Sequence, residues 1–199
     1  MYADSLINIV YNHNVMNRIK PLWVGSTCLT ILLFFLCACS TTTGNKTPSP
    51  QASTGAAGAS AQENQIAQAV FQAINQSRAK SGLPALTWST ALASSARQHD
   101  LAMQAANTLS HQLPGEAALG DRERKQGVNW TWAAENVGET SDQSVNGALS
   151  LHRAMMSEQP PDDGHRRNIL TTSGNIAGVA ILIDQQHGLL WLTEDFARV

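Results

Sequence analysis

The sequence predicts an α+β fold, a three-layer α/β/α sandwich built around a mainly antiparallel sheet. Three observations carry that expectation. Helical spacing of apolar residues recurs in the segments between residues 63 and 157. Two β-rich apolar runs, Ile176 to Asp184 and Leu189 to Phe196, then flank the turn Gln185-Gln186-His187-Gly188 and read as an antiparallel hairpin. Both runs are apolar on alternating faces, and a strand buried on two sides needs cover above and below, which helices supply.

The 199 residues are enough for one domain with appendages. A composition of 43% hydrophobic and 14% charged residues can build a core and is far from that of a disordered chain. The net charge of −2 lacks the basic footprint that phosphate backbones require, so nucleic acid is excluded as an expected partner.

Residues 1–39 read as a signal peptide. Arg18 and Lys20 form a short positive region after Met16, the expected true start, and Leu22 to Leu36 form an apolar stretch. Leu36-Cys37-Ala38-Cys39 then resembles the lipobox of bacterial lipoproteins, with Cys39 as the lipidated residue and the membrane as partner through that anchor. A plain transmembrane anchor is the competing reading, because the stretch is close to the ~18 residues that span a bilayer. The expected location is extracytoplasmic. Residues 40–62, rich in Ser, Thr, Ala, Gly and Pro, read as a flexible tether. Cys28, Cys37 and Cys39 are all the cysteines, so the globular part at 63–199 holds together without cross-links.

Within that part, Ile66, Ala69, Val70, Ala73, Ile74 and Ser77 predict a helix over 63–80, stopped by Gly82. Leu83-Pro84-Ala85-Leu86 is an extended connector. Ser89 caps a second helix running to about Asn107, with Leu92, Ala96, His99 and Met103 on one stripe. Residues 109–129 are mostly loop, with a short helical piece around Glu116 to Gln126. A further helix spans Ser144 to Ser157, ended by Pro160 and Pro161.

The common enzyme templates are missing: no His-Glu-x-x-His, no phosphate-loop glycine signature, no Gly-x-Ser-x-Gly elbow. Two histidines fall on expected loops, His111 after Ser110 and His165 in the polar turn Pro161 to Asn168. Glu135, in Ala134-Glu135-Asn136-Val137-Gly138, lies between them, and Glu158 precedes the prolines. Two imidazoles and two carboxylates can hold a divalent ion, Zn²⁺ first, with a position left for water. They can equally be four unrelated groups that cap helices and turns. His99 reads as a hydrogen-bonded core histidine and Trp88 as packing beneath the first two helices. His152 and His187 read as surface residues. Arg166 and Arg167 could grip an anion, form salt bridges or simply be solvated, and Asn136 and Asn168 are expected to fix loop turns.

Several pieces in order resemble the CAP superfamily, the group of cysteine-rich secretory proteins, antigen 5 and type 1 pathogenesis-related proteins, and most closely its bacterial SCP-domain members. They are Asn75-x-x-Arg78, Gly82 to Trp88, Ser110-His111, Gly127 with Glu135-Asn136-Val137-Gly138, Gly164-His165-Arg166-Arg167-Asn168-Ile169-Leu170, and the closing hairpin. The resemblance makes 63–199 a CAP domain. It implies the same sandwich and a cleft lined by two histidines and two acids, here His111, His165, Glu135 and, where the loop is lengthened by Gln159 to Asp163, Glu158. In some members such a cleft binds a divalent metal, which would fall to His111 and His165.

Three functions follow as alternatives: a cleft that binds a small ligand or peptide, a zinc-dependent hydrolase with Glu135 as general base, and a non-catalytic interaction domain. The sequence leaves open whether the protein is an enzyme.

Overall fold

The computed structural model describes residues 55–199 together with the strand Ile9–Tyr11. The leader, the lipobox with Cys39 and the tether up to residue 54 lie outside the described residues. In chain order the elements are β1 (Ile9–Tyr11), α1 (Ala61–Lys80), β2 (Thr87–Trp88), α2 (Thr90–Ala106) and α3 (Leu119–Lys125). They continue with β3 (Trp132–Thr140), α4 (Val145–Ser157), α5 (Gly164–Ile169), β4 (Ile176–Asp184) and β5 (Leu189–Arg198).

One sheet has the order β1-β3-β5-β4-β2. The long ladders, β3 with β5 and β5 with β4, are antiparallel; the short outer pairs, β1 with β3 and β2 with β4, are parallel. The expected sandwich is therefore present, and its sheet is antiparallel in its long central pairs. Residues 9–11 precede Met16, so a chain that started there would keep the other four strands and lose only this edge.

The register explains the layers. One face carries Val137, Leu182 and Trp191, covered by Met103 of α2 and Leu113. The other carries Val179, Ile181, Leu192 and Phe196, covered by Ile66, Val70 and Ile74 of α1, Leu151 and Met155 of α4, and Ile169 of α5. The hairpin is apolar on both sides because both sides are covered. At Gly178 a side chain would meet the backbone of Leu92 and Ala93 within 2.5 Å, so α2 sits directly on β4.

Local signals work where they were read. Ser89 caps its helix by accepting from Leu92 N; Ser144, read only as a helix start, proves to be a cap too, accepting from Asn146 N and Gly147 N. Gly82 takes φ +72° after α1, a conformation open to glycine without penalty. The first helix starts earlier than the periodicity predicts: Ser60 and Glu63 form a reciprocal capping box, and Gly55 and Ala56 are already buried against the domain. No helix among the described residues is long and apolar enough to cross a membrane.

Ala134 to Gly138, to which the sequence assigned no element, are part of a nine-residue strand whose Glu135 and Asn136 are buried among polar partners that mask any apolar alternation. Two expectations need correction. His165 lies in the helix α5 and not in a turn. His152 is buried at 4% exposure, because its ring turns inward from α4 toward α1. His99 is a fully buried, hydrogen-bonded core residue, His187 is exposed, and Trp88 packs edge-on to Phe71 of α1 at 5.2 Å, all as expected.

Candidate functional site

The residues at issue gather around the part of β3 that β1 leaves uncovered. β1 pairs only with Gly138–Thr140, so the edge at Glu135 and Asn136 is capped by side chains instead. Adjacent strand residues point to opposite faces. Glu135 enters the α2 and α3 layer, and Asn136 enters the layer of α4 and α5.

On the first side, His111 Nδ1 donates to Glu135 Oε1 at 2.9 Å. Arg122, from α3, donates to Glu135 Oε2 at 2.5 Å. His99 Nε2 stands 3.7 Å from the same carboxylate, while its Nδ1 pairs with Glu116 at 2.7 Å. Burial alone would raise the Glu135 pKa; the His111 hydrogen bond and the Arg122 charge reverse that and hold it at about 2. With both oxygens taken, Glu135 is a fixed anion and accepts a further proton poorly near neutral pH.

On the second side, His165 Nδ1 donates to Glu158 Oε1 at 2.6 Å. Glu158 Oε2 accepts from the backbone N–H groups of His165 and Arg166, at 3.0 and 3.3 Å. This residue, at the end of α4, therefore caps the start of α5 and aims its histidine at once. Arg78, buried in α1, donates to the carbonyls of Pro84, Ile169 and Thr171 and ties down the far end of α5. Asn75 exchanges two hydrogen bonds with the backbone of Leu86. The motif Asn75-x-x-Arg78 is thus a fastener for the chain around the site.

Two asparagines join the halves. Asn168 donates to the Glu135 carbonyl at 3.2 Å and to Asn136 Oδ1 at 2.9 Å. Asn136 donates to the His165 carbonyl at 3.3 Å and to Glu194 Oε2 at 2.9 Å. They do bond backbone groups, as expected, but from a strand and a helix and not within loop turns.

The four predicted side chains are therefore brought to one edge as two histidine–glutamate pairs. Each imidazole is held at Nδ1 by a carboxylate, the arrangement by which protein sites orient Nε2 toward a metal. By this geometry a metal would be held by His111 and His165, with Glu135 and Glu158 behind them as orienting groups. Among the described residues no three His, Cys, Asp or Glu side chains converge to hold a metal ion. Little of the edge reaches solvent: His111 is 8%, Glu135 4% and His165 2% exposed. Arg167 is paired with Asp163 at 3.2 Å.

Sequence reasoning missed Arg122, Glu116 and Glu123. They sit in the stretch read as mostly loop, and nothing local marks them as buried. Glu123 is fully buried with no hydrogen-bond partner on either oxygen, and burial together with the Glu135 charge pushes it up to about 8.

The layered fold and the paired histidines define a class: small sandwich domains with His–Glu pairs at an open edge of a mixed sheet. The profile of the cysteine-rich secretory protein family, CAP, matches residues 71–196. The chain belongs to that family. Among solved structures, an extracellular protein containing a SCP domain from Bacillus anthracis is 26% identical, with a TM-score of 0.59, covering 69% of this chain and 41% of that one. A cysteine-rich secretory protein from Staphylococcus aureus is 20% identical, with a TM-score of 0.55, covering 70% and 40%. An outer surface protein from Borrelia burgdorferi is 16% identical, with a TM-score of 0.58, covering 67% and 92%. This chain thus spans about two fifths of the Bacillus and Staphylococcus proteins. No curated protein sequence matches it significantly.

Proposed function

We propose that the chain is an extracytoplasmic, lipid-anchored CAP-domain protein that binds a small ligand or peptide at the edge bearing His111, Glu135, His165 and Glu158. The observation that carries this reading is the pairing of each imidazole with its own carboxylate, which sets two ring edges in fixed directions. The extracellular description of the Bacillus anthracis relative supports the location. The order of charge, apolar stretch and cysteine in the leader supports the anchor at Cys39. If it is right, Cys39→Ala moves the protein from the membrane fraction to the soluble fraction; retention in the membrane would leave a transmembrane anchor as the explanation.

His111 and His165 are the proposed metal ligands, and Glu135 and Glu158 fix their rings. Bound there, Zn²⁺ would supply Lewis-acid polarisation of a ligand oxygen. Glu135 is a positioning residue in this reading, because a carboxylate held at about 2 between His111 and Arg122 is a weak proton acceptor. Ligand binding is therefore preferred to zinc-dependent hydrolysis.

Zinc calorimetry and thermal melts on the intact chain test the site. Zn²⁺ should raise the melting midpoint by mass action, and His111→Ala with His165→Ala should abolish both the heat and the shift. An unchanged zinc response in the double variant would remove the metal from the proposal.

A further inference from the structure

The two edges of the sheet are closed in different ways. Beyond β2, side chains close the β4 edge: Arg97 of α2 donates to the Ile181 carbonyl, and Glu63 of α1 accepts from Ile183 N at 2.9 Å. The two side chains pair at 3.0 Å, and both are buried. An ion pair thus occupies the peptide groups that a further strand would need, which protects an otherwise open edge. The β3 edge is closed by side chains only in part. Asn168 takes the Glu135 carbonyl at 3.2 Å. Over Gly138–Thr140 the closing group is a strand, β1, seated in parallel with Ile9 opposite Gly138, Val10 opposite Glu139 and Tyr11 opposite Thr140.

That stretch suits an extended chain on both of its faces. Adjacent strand residues face opposite layers. Gly138 faces α4, where an added Cβ would lie 3.3 Å from Met155 and 3.4 Å from Leu151, so a residue aligned with it has apolar side chains beside it. Glu139 shares the α2 side with Val137 and stands opposite Trp191 of β5. It is half-buried, and burial pushes its carboxyl up, a cost that an aligned cation would offset. On the anchor reading above, the leader is removed ahead of Cys39 and β1 leaves with it. The edge then stands open about 10 Å along the strand from Glu135, at ~3.3 Å per residue.

We propose that, in the processed chain, Gly138–Thr140 of β3 docks an extended segment of another polypeptide as a parallel strand, which makes the ligand of the His–Glu edge a peptide. This rests on the ligand and anchor readings above. The segment adds main-chain hydrogen bonds to the sheet, as edge-binding peptides do. It carries β-branched or aromatic residues opposite Gly138 and Thr140 and a basic residue opposite Glu139. Because it runs parallel to β3, the residues before it lead back toward Glu135. There Asn168 ends the ladder, at the edge that bears His111 and His165.

The test uses the full chain carrying Val10→Pro and Tyr11→Pro, which removes the donors of β1 and leaves the other four strands alone. Circular dichroism checks the fold, and Val10→Gly with Tyr11→Gly loosens the same strand more gently. The probe is a labelled peptide of about ten residues centred on Ile-Lys-Tyr, with twins that bear Glu or Pro in place of Lys. The Lys peptide should bind either variant saturably, and at least about tenfold more tightly than it binds the parent chain, whose edge β1 fills. The Glu twin should bind about fivefold more weakly, a difference that Glu139→Gln should remove, and the Pro twin should not bind. Hydrogen exchange at Gly138–Thr140 should be faster in the variants than in the parent and slow again on adding the Lys peptide. No saturable binding to either variant, or a Pro twin that binds as tightly as the Lys peptide, overturns strand docking. Neither result depends on the Cys39→Ala fractionation or the zinc melts, so failure of those readings is told apart from failure of this one.

Discussion

Glu135 shows how strongly a single position can organise its surroundings. One buried carboxylate anchors His111 and Arg122 directly, and its charge helps push Glu123 and Asp195 upward. Removing one member of a buried ion pair strands the other, at a cost of about 3 kcal/mol or more. Glu135→Gln should therefore lower stability by that order, read as a smaller denaturant midpoint in urea; a midpoint within error of the unsubstituted protein would contradict the ion-pair account. Glu135 was legible in the sequence through its resemblance, but its role was not. The letters around it do not show that Arg122, thirteen residues earlier, folds back onto it.

At the scale of elements, the site depends on how closely helices approach the sheet and on how α5 is fixed. Glu158 caps α5 at its start, and Arg78 takes up the carbonyls at its end. On the other face, α2 lies so near β4 that only glycine fits at 178. Gly178→Ala forces the two apart and should cost about 1–3 kcal/mol, measured by thermal or chemical unfolding. The shift would reach the other residues that α2 lays on the sheet, His99 among them, so weaker protection of the α2 amides in hydrogen exchange is also expected. An alanine variant as stable as the parent would mean that α2 is free to move. The helices and the hairpin were readable because capping and periodicity are local. The strand β3 was not, since its central residues are polar and find their partners only after folding.

For the whole molecule, the number of buried acids sets the pH response. Burial first of all pushes Asp100 and Glu194 up to about 7, Glu123 up to about 8, and Asp195 well above its ordinary range. Each of these keeps a proton in the folded state that the unfolded chain has already released above about 4. The folded form therefore binds more protons, and stability falls as pH rises from about 4 through about 8. His152, lowered to about 4 by burial, acts in the opposite sense between about 4 and 6.5. One group against four does not reverse the slope. Below pH 4 the direction changes, as Glu135 is protonated on the way to about 2. Thermal melts should place the highest midpoint near pH 4 and a lower one at pH 8; a midpoint rising over that interval would contradict the burial of these acids.

Through the resemblance of its motifs the sequence named the histidines and acids of the site; by itself it determined the layered fold, the three longer helices with the Ser89 cap, and the hairpin. These last rest on spacing of apolar residues and on short-range hydrogen bonds, which a linear chain displays. Only the tertiary structure decided which groups are buried and which carboxylate holds which imidazole. Burial and electrostatic coupling arise between segments distant in sequence, so their sign and strength exist only once the layers have closed.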